Sequence, residues 1–188
     1  MIRNITAGFG GWPEIDMKIK TILCTIFIVL FASAVHSQTA KLIDELASIA
    51  LDKKNYVEKS GKIELYGIRT NGPDTKNGDL ACAKVVTIIL LKAGVVDKIS
   101  LGVRNVESAL KNWKQIKNKK DLRPGDIVVW TNIFKGRKDK KCTGGGNCHV
   151  GIVTENGYFH NSPISNAPTF GGISLWFFKF KVGYRPQD

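Results

Sequence analysis

HVGIVTENGYFHN, residues 149–161, holds two short runs rich in β-branched and aromatic residues on either side of Asn156-Gly157. An Asn-Gly step between two such runs is a strong hairpin signal, so His149 and His160 fall on adjacent antiparallel strands. Working outward, Asp126–Asn132 (DIVVWTN) and Ile173–Gly183 (ISLWFFKFKVG) read as further strands, punctuated by Gly125, Gly157 and Gly171-Gly172. Upstream the period changes. Ala40–Leu51 (AKLIDELASIAL) repeats Leu42, Ile43, Leu46, Ile49 and Ala50 at helical spacing. Asp79–Ala93 (DLACAKVVTIILLKA) is apolar almost all round and reads as a buried central helix, with Asp79 as N-cap and Gly94 as its terminator. Asn105–Trp113 reads as a short helix with Val106, Ala109, Leu110 and Trp113 on one side. Asn55–Gly78 is polar, with turn signals at Asn71-Gly72-Pro73-Asp74 and Asn77-Gly78, and the lysine-rich Lys111–Lys120 and Lys135–Lys141 read as solvated loops. Helices first and strands afterwards, without βαβ alternation, predict an α+β domain whose N-terminal helices pack on a small antiparallel β-sheet.

The chain has 188 residues, with 28 Lys and Arg against 16 Asp and Glu, for a net charge of +12. Its length suits one ordinary domain, and 43% hydrophobic residues excludes a disordered or collagen-like chain. Near the start, Met17-Lys18-Ile19-Lys20 runs into the uncharged Thr21–Val35, followed by His36-Ser37. A basic start, an apolar core and small residues before a cut are the parts of a secretory signal peptide. Residues 1–37 are therefore expected to be removed after Ser37, with Met17 as the candidate true start and Cys24 a passive part of the apolar run. The run is too short to span a bilayer, so no stable membrane insertion is expected after cleavage. The mature part, residues 38–188, is expected to be a single domain, secreted or periplasmic. It keeps 25 basic and 14 acidic residues, +11. Export turns that charge away from nucleic acid and toward an anionic envelope polymer.

Three cysteines remain in the mature part. Cys142 and Cys148 flank Thr143-Gly144-Gly145-Gly146-Asn147, a segment pliant enough to bring two sulfurs together as a disulfide. Cys82 is then left as a thiol. It falls three residues after Asp79, in the first turn of the central helix, where unpaired N–H groups and the helix dipole favour a thiolate, and Lys84 follows it. The spacing of Cys142 and Cys148 is wider than the C-x₂₋₄-C of common zinc sites, so neither metal nor cofactor is expected. With His36 removed, His149 and His160 are the two histidines left. A helix-N-terminal cysteine and two histidines on paired strands form a constellation suited to nucleophilic acyl transfer. One imidazole takes the thiol proton, a second polar group fixes its tautomer, and the Cys82 N–H meets the oxyanion.

These residues resemble the secreted papain-like cysteine hydrolases of the CHAP and NlpC type. Leu80-Ala81-Cys82-Ala83-Lys84-Val85-Val86, with Ala93-Gly94 beyond, is similar to the nucleophile helix of that family, and Val106–Trp113 to the short helix after it. Leu122-Arg123-Pro124-Gly125-Asp126-Ile127-Val128-Val129-Trp130 resembles its LxPGDIVVF lead into a strand. His149-Val150-Gly151-Ile152-Val153 resembles its histidine strand, and Gly183-Tyr184-Arg185-Pro186 its GYR ending. The resemblance covers Leu80 to Arg185. It implies Cys82 as nucleophile and His149 as base. The third group is His160 by the NlpC pattern or Asn161 by the CHAP pattern. Strand alternation puts Tyr158 and His160 on one face and Phe159 and Asn161 on the other. Phe159 suits the core, which favours His160. Departures are Ala81-Cys82-Ala83-Lys84 in place of DCSG, Val86 in place of an aromatic residue, and only a faint upstream tyrosine motif at Tyr66-Gly67, which makes Tyr66 a candidate oxyanion donor.

The resemblance implies hydrolysis of an amide bond in peptidoglycan, without metal, by a housekeeping enzyme or by an antibacterial toxin with a cognate protein inhibitor. A catalytically silent wall-binding module on the same fold is the alternative. N-terminal sequencing of exported protein is expected to start at Gln38; an intact Met1 or Met17 there contradicts the signal-peptide reading.

Overall fold

The computed structural model describes residues 38–78, 80–132, 142, 148–172 and 178–187. The expected signal segment, Asp79, the Lys135–Lys141 run, the loop between Cys142 and Cys148, and the first part of the Ile173–Gly183 strand lie outside these residues. The described chain is mixed helix and antiparallel sheet. Helix α1 (38–48) is followed by a three-stranded meander, β1 (Tyr56–Lys59), β2 (Lys62–Leu65) and β3 (Ile68–Arg69). A 3₁₀ turn (Pro73–Gly78), α2 (Cys82–Lys92) and α3 (Val103–Ala109) come next. The remaining strands are β4 (Lys114–Ile116), β5 (Ile127–Asn132), β6 (Cys148–Thr154), β7 (Gly157–Asn161), β8 (Pro168–Gly171) and β9 (Phe178–Arg185). They form one antiparallel sheet in the order β4-β9-β5-β6-β7-β8.

The core lies between α2 and one face of this sheet. Ala83, Val85, Val86 and Ile88–Leu90 of α2 are buried against Ile127, Val129, Val150, Ile152 and Phe159. The helix ends as its sequence predicts. Gly94 takes φ +71, its N–H bonds Leu91 O at 3.1 Å, and the Val95 N–H bonds Leu90 O at 2.9 Å. That is the Schellman arrangement, which only a residue at ease with positive φ completes without strain. Helix α1 is rotated from its expected face: Ile43, Ala47 and Ala50 are buried, while Leu42 and Ile49 are 40% and 39% exposed.

Four strands, β1 to β4, appear in segments where no strand was expected. Ser60-Gly61 and Tyr66-Gly67 all have positive φ, which lets each pair close a two-residue hairpin and fold 56–69 into the meander. The lysine-rich 111–120 segment contains β4, pinned to β9 through its one buried residue, Ile116. The β6–β7 hairpin turns at Glu155-Asn156, and Gly157 takes the positive φ (+116) just after it.

A bulge governs β9. Val129 pairs with Val182, but Trp130 pairs with Phe180, so Lys181 is an extra residue. An unpaired residue reverses the alternation of the strand. Phe178 and Phe180 thus join Val128, Trp130 and Val153 on the sheet face away from α2, while Val182 and Tyr184 join the main core.

The turn before β5 closes on the end of β9. Arg123-Pro124-Gly125-Asp126 has its Asp126 N–H on Arg123 O (3.0 Å) and Gly125 at φ +86, as a type II turn demands. A side chain on Gly125 would strike the backbone of Ala40, whose Cα would lie 2.8 Å from the added carbon. Asp126 is fully buried and accepts from Arg185 Nε (2.8 Å), Arg185 Nη2 (2.7 Å) and the Arg123 N–H (2.8 Å). The PGD and GYR segments therefore meet as one forked ion pair. Removing one partner of a buried pair strands the other charge. Arg185→Ala is expected to lower unfolding stability by about 3–5 kcal/mol in urea titrations, and a loss below about 1 kcal/mol, the ordinary surface-pair range, contradicts this role.

Candidate functional site

The two histidines meet through strand register. Gly151 of β6 pairs with His160 of β7, so His149, two residues earlier on the same face, is the diagonal neighbour of His160. His149 Nε2 lies 3.1 Å from His160 Nδ1, with the rings edge to face at 82° and 5.0 Å between centroids. They are 4% and 5% exposed. Trp130, directly across from His149 on β5, and Phe178 close over that ring at 5.9 and 5.2 Å. Tyr158 stands edge-on to Trp130 at 5.3 Å. Gly151 makes room for the pair: a Cβ there would come within 2.9 Å of Phe159 O, 3.1 Å of His160 Cβ and 3.2 Å of Trp130 Cζ3.

Burial is the main influence on both rings. It pushes His149 down to about 3, helped by the repulsion of His160, and it lowers His160 as well, partly opposed by the carbonyl of Asn161. That carbonyl lies 3.1 Å from His160 Nδ1. A carbonyl only accepts, so it favours a hydrogen on Nδ1, shared between Asn161 O and His149 Nε2. The resting neutral pair then has His149 accepting at Nε2 and carrying its own hydrogen on Nδ1.

Cys82 is the first residue of α2, not the third. Ala81 caps the helix without a side-chain bond, and the helical ladder begins with the Val85 N–H on Ala81 O. The N–H groups of Cys82, Ala83 and Lys84 therefore precede the ladder and sit at the positive end of the helix dipole. The Cys82 side chain is half-buried and packs on the main core. Lys84, expected beside the thiol, instead has Nζ 2.7 Å from Asp74 Oδ2, and this bond holds the Asp74 carboxyl below its usual range. Helix α2 packs on β6 and β7, the strands that carry both histidines. Val150, Ile152 and Phe159 line the α2 side of those strands, while alternation puts the histidine rings on the other.

Asn161 and Tyr66 take other places. Alternation turns the Asn161 side chain to the face opposite His160, where it is buried with its amide 3.4 Å from Ser162 O; its carbonyl is what reaches His160. The Tyr66 hydroxyl donates to Leu46 O at 2.6 Å, and its ring lies 6.0 Å from Lys92 Nζ. Lys92 is in the last turn of α2, nearly three turns from Cys82. Its hydroxyl is thus engaged with α1 beside the far end of α2, and burial pushes it up to about 12.

Cys142 and Cys148 form the expected disulfide. Among the described residues no three of His, Cys, Asp and Glu converge as a metal-ligand set. The aromatic wall of Trp130 and Phe178 and the clearance at Gly151 went unread in the sequence; their signal was the i+2 spacing of Gly151 from His149. No protein-family model, curated protein or solved structure matches the chain.

The buried histidine ties stability to pH. Unfolded His149 takes a proton below about 6.5, whereas folded His149 refuses it until about 3. Stability is therefore full above about 6.5 and falls as pH drops through that window. Between pH 7 and pH 5 the loss is expected to be about 1–2 kcal/mol by urea denaturation, and His149→Gln should flatten most of that slope. Equal slopes in wild type and variant contradict it.

Proposed function

We propose that the chain is a papain-like cysteine hydrolase, exported from the cell, that cleaves an amide bond of peptidoglycan through Cys82, His149 and His160. The observation that carries this reading is the buried 3.1 Å contact between His149 Nε2 and His160 Nδ1, on the hairpin whose sequence resembles the family's histidine strand. It also favours His160 over Asn161 as the third group. The closure of the PGD turn on the GYR arginine adds support, since both segments belong to the same resemblance.

In this reading the proton of the Cys82 thiol passes to His149 at Nδ1, the ring nitrogen His160 does not engage. Because α2 and the rings lie on opposite faces of the sheet, the transfer requires a rearrangement that brings thiol and ring together. The pair must first leave its resting tautomer: His160 moves its hydrogen to Nε2, and His149 donates from Nε2 to His160 Nδ1. The thiolate attacks the amide carbon, and the Cys82 N–H, outside the helical ladder, stabilises the oxyanion. Collapse expels the amine with the proton from His149 and leaves a thioester. Water, deprotonated by His149, then attacks the thioester, releasing the carboxylate product and restoring the thiol. The +11 charge of residues 38–188 draws the protein to an anionic wall. No helix among the described residues is long and apolar enough to cross a membrane. An inhibitor protein would be the partner if the enzyme is a toxin.

One observation favours the silent wall-binding module instead: the histidine rings are nearly sealed and lie on the sheet face opposite α2, as a structural pair would. Mass spectrometry of fragments released from purified peptidoglycan separates the two. Cys82→Ala and His149→Ala should each reduce release at least about 10³-fold, and His160→Ala about 10²-fold. Release by Cys82→Ala at the wild-type rate refutes the hydrolase, and retained wall binding without any release marks the module.

A further inference from the structure

The groups around the disulfide take no part in the hydrolysis described above. The bulge at Lys181 swings its side chain to the α2 side of the sheet. There Nζ lies 2.7 Å from Glu107 Oε1 on α3 and donates to Cys142 Sγ at 3.3 Å. Glu107 Oε1 also accepts from the Tyr184 hydroxyl at 3.1 Å. The side chains of Lys181 and Glu107 are only 24% and 15% exposed, so the ammonium is held in a partly desolvated place. A disulfide sulfur is uncharged and a weak acceptor, which gives a fixed ammonium little to bind. A thiolate at the same point gives it a full charge.

We propose that Cys142–Cys148 is a thiol–disulfide exchange site for a dithiol reductant, with Lys181 stabilising the Cys142 thiolate of the reduced state. Cys142 is partly exposed and Cys148 is 7% exposed, so the reductant's first thiolate attacks Cys142 Sγ. The S–S bond breaks, Cys148 leaves as a thiolate, and Cys142 is held in a mixed disulfide. The reductant's second thiolate then attacks its own sulfur in that mixed disulfide. Cys142 departs as a thiolate beside Lys181, which eases its departure. Two electrons have passed to the protein, and the reductant has become its own disulfide. Of its two protons, one goes to Cys148 and one to solvent. Cys148 opens β6 opposite Thr131 and immediately precedes His149, so exchange removes a covalent tie next to the histidine pair. The site stands whether or not the chain is a hydrolase.

The test equilibrates the full chain with mixtures of reduced and oxidised dithiothreitol, traps thiols by alkylation and counts them by mass on the Cys142 peptide. Lys181→Met is expected to shift the balance toward the disulfide about fivefold at pH 7, and further at pH 8, because an ordinary thiol ionises near 8.5. Glu107→Gln, which frees the ammonium from its carboxylate, should shift it the opposite way. A Lys181→Met equilibrium within twofold of wild type, or two variants that move in the same direction as a merely structural prop would, overturns the proposal.

Discussion

A strand with seven consecutive buried residues needs cover on both faces and partners along both edges, and β6 is such a strand. Its edges are met by β5 and β7. On one face Val150 and Ile152 are covered by α2, whose apolar residues share one core with Ile43 and Ala47 of α1 and Val103 and Val106 of α3. On the other face His149 and Val153 lie under the aromatic cluster of Trp130, Tyr158 and Phe178. β9 serves both covers at once, and only because the bulge at Lys181 reverses its alternation midway. Burial of this kind contributes about 25 cal/mol per Å² of apolar surface, and it is shared between two small cores rather than concentrated in one.

The same sealing sets the character of the histidine pair. In a poorly solvated pocket an imidazolium is costly, so both rings rest neutral, and the Asn161 carbonyl decides which nitrogens carry hydrogen. A charge arises there at low cost only beside an opposite charge. In the hydrolytic reading that counter-charge is the Cys82 thiolate, so charge separation would accompany the reaction rather than precede it.

The features legible in the sequence were local. Runs of β-branched residues gave β5, β6 and β7, and Gly94 marked the end of α2, because each depends on neighbours a few residues away. The meander 56–69 went unread because its strands are two to four residues long and half charged; two turns, Ser60-Gly61 and Tyr66-Gly67, were its signal. β4 hid in a lysine run because one residue, Ile116, does its packing. Alternation placed His160 and Asn161 on opposite faces, but no pattern revealed that Asn161 would act through its backbone. The Asp126–Arg185 pair joins residues 59 apart, the bulge depends on register, and the commitment of Tyr66 to Leu46 depends on tertiary placement. None of these leaves a periodic trace.

Strand β9 sits inside the sheet, between β4 and β5, rather than at its border. Without residues 178–185 the sheet is two separate pieces, each with a raw hydrogen-bonding edge, and Asp126 lacks its arginine. Strand β9 thus joins the two pieces and supplies the arginine in one step. An incomplete chain is left open and prone to pair with its neighbours. One strand therefore holds together the sheet, the Asp126–Arg185 pair and part of the aromatic cover of His149, so damage to it reaches all three at once.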